Sequence, residues 1–193
     1  MIISANTRLF LFAVFLLCVF SNSFAQSVTV IGDSANAREC YMSAGLATQM
    51  QSASMSEIES CNDALNGDNM KLRDRAATYI NRGILYVAMG EYQDAIEDYA
   101  VAKNLYPKFG AIYVNRGNLF FIGESYDSAI SEYSKALDLG LNQDYVAHLN
   151  RGMAYEKLGR LDEAETDYRQ AIELAPEWKE AKSKLERVLI KIN

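Results

Sequence analysis

The chain has 193 residues, half of them hydrophobic by type, with 19 lysines and arginines against 25 aspartates and glutamates and a formal net charge of −6. That acidity argues against nucleic acid or an anionic membrane as the main partner. One histidine and three cysteines leave little material for a metal centre or an activated nucleophile.

Residues 1–25 read as an export signal. Arg8 gives a weakly positive start, Leu9 to Phe20 form an apolar run, and Ser23, Phe24 and Ala25 provide a small-residue cleavage site before Gln26. The run is short for a bilayer, which takes about 20 apolar residues, so an uncleaved anchor is the lesser alternative. Leu17 stands before Cys18 where a lipidation site would have a small residue. Cleavage removes Arg8 and no carboxylate, leaving 18 basic against 25 acidic side chains and no long apolar stretch. No stable membrane insertion is expected after signal removal.

Gln26 to Asp33 reads as extended or loosely ordered: Val28, Thr29, Val30 and Ile31 have strand propensity, but no partner strand is visible. A helix is expected from Ser34 to Ala44. A second begins at the capping-box pattern of Ser54 and Glu57 and reaches about Leu65. Cys40 and Cys61 remain in the mature chain, an even pair suited to a disulfide in an oxidising compartment, with two buried thiols as the alternative. Neither has the close Cys or His companions of a zinc site.

From about residue 73 the chain repeats. Asn81-Arg82-Gly83 recurs as Asn115-Arg116-Gly117 and Asn150-Arg151-Gly152, a spacing that marks stacked helical hairpins. Each glycine is followed at fixed distances by an aromatic residue (Tyr86, Phe120, Tyr155), an alanine (Ala95, Ala129, Ala164), a tyrosine (Tyr99, Tyr133, Tyr168) and a second alanine (Ala102, Ala136, Ala171). Small residues let two helices approach, and large ones fill the space between successive hairpins. Pro107 and Pro176 close two of the copies. Helices are expected over 73–89, 92–105, 108–121, 125–139, 143–157 and 161–174, with turns at Gly90, Gly123 and Gly159. The glycine of the second turn comes one position early.

These residues resemble the tetratricopeptide repeat. The resemblance implies an all-α, right-handed solenoid of antiparallel hairpins, with three repeats over 76–109, 110–144 and 145–176. Residues 26–75 become an extended segment and a degenerate opening hairpin, with Cys61 in the tyrosine slot. Residues 177–193 form a capping helix with Trp178, Ala181, Leu185, Val188, Leu189 and Ile192 on one face. It further implies a non-enzymatic module that binds a protein or peptide segment, a scaffold of the bacterial envelope such as the small exported periplasmic members of the family.

No catalytic set is found, and no cofactor or metal is called for. His148 occupies the slot of Tyr79 and Tyr113 and reads as a packing residue. Arg82, Arg116 and Arg151 stand where the family usually has leucine, and each is matched by an acid, Asp98, Glu132 and Asp167. Structural ion pairs follow, with an arginine row for ligand carboxylates as the alternative. The resemblance also places Asn81, Asn115 and Asn150 along a concave groove, where an asparagine can hydrogen-bond a ligand's main chain, or serve structure alone. Ile84, Val87, Asn118 and Phe121 neighbour that row. The groove slots are mostly aliphatic rather than basic, which suits a segment with apolar side chains. The alternative is a self-associating structural module whose groove is filled by its own chain or by a second copy, so that a homo-oligomer is possible.

Overall fold

A computed structural model describes residues 25–31, 35–67 and 70–193. The export signal expected over 1–25 lies outside the described residues except for Ala25. The described part is helical: α1 (Ala35–Met50), α2 (Met55–Asn66), α3 (Leu72–Met89), α4 (Tyr92–Leu105), α5 (Gly110–Ile122), α6 (Tyr126–Asp138), α7 (Asp144–Lys157), α8 (Leu161–Leu174) and α9 (Lys179–Ile192). Consecutive helices pair into hairpins, α1 with α2, α3 with α4, α5 with α6 and α7 with α8, and α9 covers α8. The first helices also meet across hairpins, α1 with α3, α3 with α5 and α5 with α7. The result is a solenoid with one continuous core.

Each hairpin closes on a glycine against a tyrosine. A Cβ added at Gly117 would lie 2.5 Å from the Tyr133 ring, and one at Gly152 would lie 2.8 Å from Tyr168; at Gly83 the obstruction is Tyr99. Those three tyrosines are at most 1% exposed, so the ring occupies the space that any other residue's side chain would need. This contact explains why glycine and tyrosine recur together sixteen positions apart.

Three departures from the expected elements have local causes. Helix α1 continues beyond Ala44 to Met50, because Ala37, Cys40, Ala44 and Ala47 form one buried face that runs past Gly45. At the second turn Gly123 has an ordinary φ of −79°, and the left-handed position falls on Glu124 at φ 57°. Gly90 and Gly159 hold that position in the sister repeats, so the early glycine leaves a side-chain-bearing residue in the strained conformation. On α9 the buried face is Ala181, Lys184 and Val188, and Ile192 is 41% exposed. Burial lowers the Lys184 pKa, with Arg187 adding to the effect.

The opening hairpin is tied by a disulfide between Cys40 of α1 and Cys61 of α2. At the other end Glu156 of α7 accepts from Arg187 and Lys191 of α9 at 2.7 and 2.6 Å. Tyr168 adds its hydroxyl at 2.9 Å. Burial opposes this carboxylate's charge, but the two cations and the phenol outweigh it and bring its pKa to about 2. The cap is thus fastened to the end of the groove helix by a charge-assisted cluster.

Candidate functional site

Asn81, Asn115 and Asn150 lie on α3, α5 and α7 and are at most 1% exposed. Each side chain grips one residue of the chain's own N-terminal segment at both of its main-chain groups. Val30 N donates to Asn81 Oδ1 at 2.9 Å, and Asn81 Nδ2 donates to Val30 O at 2.7 Å. Val28 is held by Asn115 at 3.1 and 2.8 Å. Gln26 is held by Asn150 at 2.9 and 2.8 Å. Residues 26, 28 and 30 turn both polar groups to the same side, as alternate residues of an extended strand do. The segment is a strap, running from the third repeat back to the first.

The strap pairs with no strand among the described residues; a ladder of asparagine amides takes the place of a neighbouring strand. A primary amide carries one acceptor and two N–H donors, so it imitates the paired C=O and N–H of a neighbouring strand. Val28 and Val30 are 3% and 8% exposed, and both belong to the core that includes Cys40, Ala44 and Ile84. Ser27 and Thr29 remain half-buried. The strand propensity of Val28 to Ile31 was the signal in the sequence; its partner was not, because asparagines far along the chain supply it.

Asn118 forms a fourth point of the floor. Its Nδ2 donates to Gln26 O at 3.0 Å, while its Oδ1 accepts from Tyr133 Oη at 2.9 Å and from Asn150 Nδ2 at 3.0 Å. The tyrosine that packs on Gly117 therefore also orients the groove amides. Gln26 extends its side chain to Glu180 Oε2 at 3.2 Å, bringing α9 into the site, a contribution not foreseen from the sequence.

The apolar candidates divide. Ile84 is 2% exposed and Phe121 is 8% exposed. Phe121 meets Tyr126 edge to face at 5.4 Å between ring centroids, which places it in the core rather than on an open surface. Ile84 and Val87 line a pocket of about 370 Å³ on one flank of the strap, with Met89 and Ile122 among its other walls. A second pocket of about 400 Å³ is lined by Ser27, Thr29, Val146, Tyr145 and Trp178. The groove is filled along its asparagine row by residues 26–30, the arrangement given above as the alternative to a groove that binds a separate segment.

The arginines are turned to the solenoid's own acids. Arg82 makes a two-pronged contact with Asp98 at 2.8 and 2.6 Å and reaches Asn62 of α2 at 2.6 Å. Arg151 does the same with Asp167 at 2.8 Å on both prongs and reaches Ser134 of α6 at 2.9 Å. His148 Nδ1 joins Asp167 Oδ1 at 2.9 Å, so the histidine belongs to the ion pair of its own repeat. Burial pushes the Asp167 carboxyl up, but Arg151 and His148 outweigh it and hold the pKa below the ordinary value. The middle pair is looser: Arg116 lies 3.2 Å from Glu132 Oε1, and Glu132 Oε2 is buried without a hydrogen bond. Burial pushes the Glu132 carboxyl up, and Arg116 and Lys103 offset only part of it. With these guanidinium groups facing their own acids, the structure favours the structural reading over a row that grips ligand carboxylates. Among the described residues there is no group of three or more metal-ligating side chains, and no helix long and apolar enough to cross a membrane.

Residues 80–144 and 145–177 match the family described as tetratricopeptide repeat. No curated protein matches the chain. Among solved structures it is similar to the Arabidopsis OM64 TPR domain, with 26% identity and a TM-score of 0.58 over 62% of this chain and 98% of that one. It is similar to the same degree to the first TPR of Spaghetti (RPAP3) bound to the HSP90 peptide SRMEEVD, with 27% identity and a TM-score of 0.58 over 62% and 94% of the two chains. A thermophilic TPR protein of Thermus thermophilus, TTC0263, shares the fold at 19% identity and a TM-score of 0.65, over 79% of this chain and 80% of that one.

Proposed function

Since the chain belongs to the tetratricopeptide repeat family, we propose that it is a non-enzymatic protein-interaction scaffold of the bacterial envelope, exported to the periplasm, whose concave groove is closed by its own N-terminal strap. The observation that carries this reading is the asparagine ladder: three successive repeats each hold one alternate residue of the strap by paired main-chain hydrogen bonds. A peptide is the occupant of the similar Spaghetti domain; here the occupant is residues 26–30. Of the two roles considered for the groove, filling by the chain itself is the one this geometry supports.

Export gives the strap its length. The Gln26 nitrogen that donates to Asn150 becomes the chain's amino terminus if the leader is removed after Ala25, so the strap would start at the third repeat's asparagine and end at the first's. The Cys40–Cys61 bridge suits the same oxidising compartment, and it anchors α1, the helix that follows the strap.

Amide hydrogen exchange on protein purified from the envelope tests the reading. Intact mass should begin at Gln26, and the Val28 and Val30 amides should be protected together with the helices. Exchange of those two amides at the rate of an unstructured peptide would refute the closed groove. Retention of residues 1–25 would refute the periplasmic address.

A further inference from the structure

We propose that the outer edge of the strap is a docking site for a second extended segment, contributed by a partner protein and carrying uncharged side chains, aliphatic toward one flank of the strap. The proposal rests on the closed groove argued above. In an extended strand the N–H and C=O of alternate residues point to opposite edges. The asparagines take those of residues 26, 28 and 30. Among the described residues nothing pairs with the main-chain groups of Ser27 or Thr29, and Ile31 at the end of the strap is 55% exposed. A strand edge with unpaired donors and acceptors is a template for another main chain.

The surroundings state the chemistry of that chain. An added strand would send its side chains alternately to the two flanks of the strap, and both flanks are hollow. On one side Ile84, Val87, Met89 and Ile122 line the pocket of about 370 Å³, which takes an aliphatic side chain. On the other, Tyr145 and Trp178 stand edge to face at 5.2 Å beside Val146, with Gln143, Ser27 and Thr29 completing the wall of the pocket of about 400 Å³, which suits an uncharged side chain able to stack or to hydrogen-bond. Neither lining includes a lysine, arginine, aspartate or glutamate. The strap is then a fixed first strand, and partner binding leaves it in place.

The test uses the mature protein and one probe, an acetylated and amidated peptide of the strap's own sequence, residues 26–31. Added probe should slow exchange of the Thr29 amide on the order of tenfold or more, while the Val28 and Val30 amides stay protected as before. Thr29→Pro removes the outward N–H but none of the inward ones and should weaken the probe about tenfold; Thr29→Val, which keeps the N–H, should bind it like the native protein. Three results would overturn the proposal: probe that leaves Thr29 exchange unchanged at saturation, probe that deprotects Val28 and Val30 by displacing the strap, or Thr29 protection that appears without probe as the protein dimerises. Rapid exchange of Val28 and Val30 before any probe is added would instead remove the closed groove itself.

Discussion

Val28 and Asn115 are joined by two hydrogen bonds, Val28 N to Asn115 Oδ1 at 3.1 Å and Asn115 Nδ2 to Val28 O at 2.8 Å. The amide also donates to Ala111 O within its own helix at 3.0 Å, which helps to fix its orientation. Asn115→Ala removes both partners of Val28 in a site 1% exposed. Stranding a buried donor and acceptor costs about 1–3 kcal/mol. The urea midpoint should fall accordingly, and the Val30 amide should exchange faster than in the native protein. A variant with unchanged exchange at both valines would mean the ladder does not hold the strap.

Gly117→Ala tests the glycine–tyrosine contact. The new methyl would sit 2.5 Å from the Tyr133 ring, and Tyr133 holds Asn118, which holds Gln26. Overpacking of this kind costs about 1–3 kcal/mol. Thermal unfolding should shift down, and Gly117→Ala combined with Tyr133→Leu should lose less than the sum of the single changes. Strict additivity would show that the two residues do not compete for the same space.

The second turn offers a gain. Glu124 carries a left-handed φ of 57° at the position where glycines serve the other repeats, and that conformation costs a residue with a side chain about 1–2 kcal/mol. Glu124→Gly should therefore raise stability by up to about 1 kcal/mol, net of the extra freedom glycine has when unfolded. A lower melting temperature would argue that Glu124 makes a compensating contact.

Two acids of the ion pairs, Asp167 and Glu132, should respond to pH in opposite directions. Asp167 has a lowered folded pKa, so its contribution is present above the unfolded value and is lost as pH falls through the lowered one. Glu132 has a raised folded pKa, so its contribution is present below the unfolded value and is lost as pH rises through the raised one. Asp167→Asn, which leaves the Arg151 charge without its counterion, should cost about 3 kcal/mol at neutral pH. Glu132→Gln, which removes a charge whose second oxygen has no partner, should cost less than about 1 kcal/mol or stabilise. Equal losses in urea titrations of the two variants at pH 7 would contradict the asymmetry between the repeats.

The three repeated hairpins and the match of each arginine with an acid could be read from the sequence by itself, because each recurs at a fixed spacing. That each repeated tyrosine packs on the glycine of its own hairpin, rather than only between successive hairpins, was decided by the structure. Asn81, Asn115 and Asn150 were legible as a row for the same reason. The partner of that row was decided only in the tertiary structure. Residues 26–30 follow no repeat, and their hydrogen bonds reach across 51 to 124 positions of chain, where local propensity says nothing. Strand preference in Val28 to Ile31 was visible, but a strand requires a neighbour, and here side-chain amides take that place. Burial was likewise decided by packing: Phe121 meets Tyr126 of the following helix, and Ile84, 2% exposed, lies beside the pocket on one flank of the strap. A repeat records in its own residues how it meets the next repeat, whereas what fills the concavity depends on a surface that exists only once the repeats have stacked.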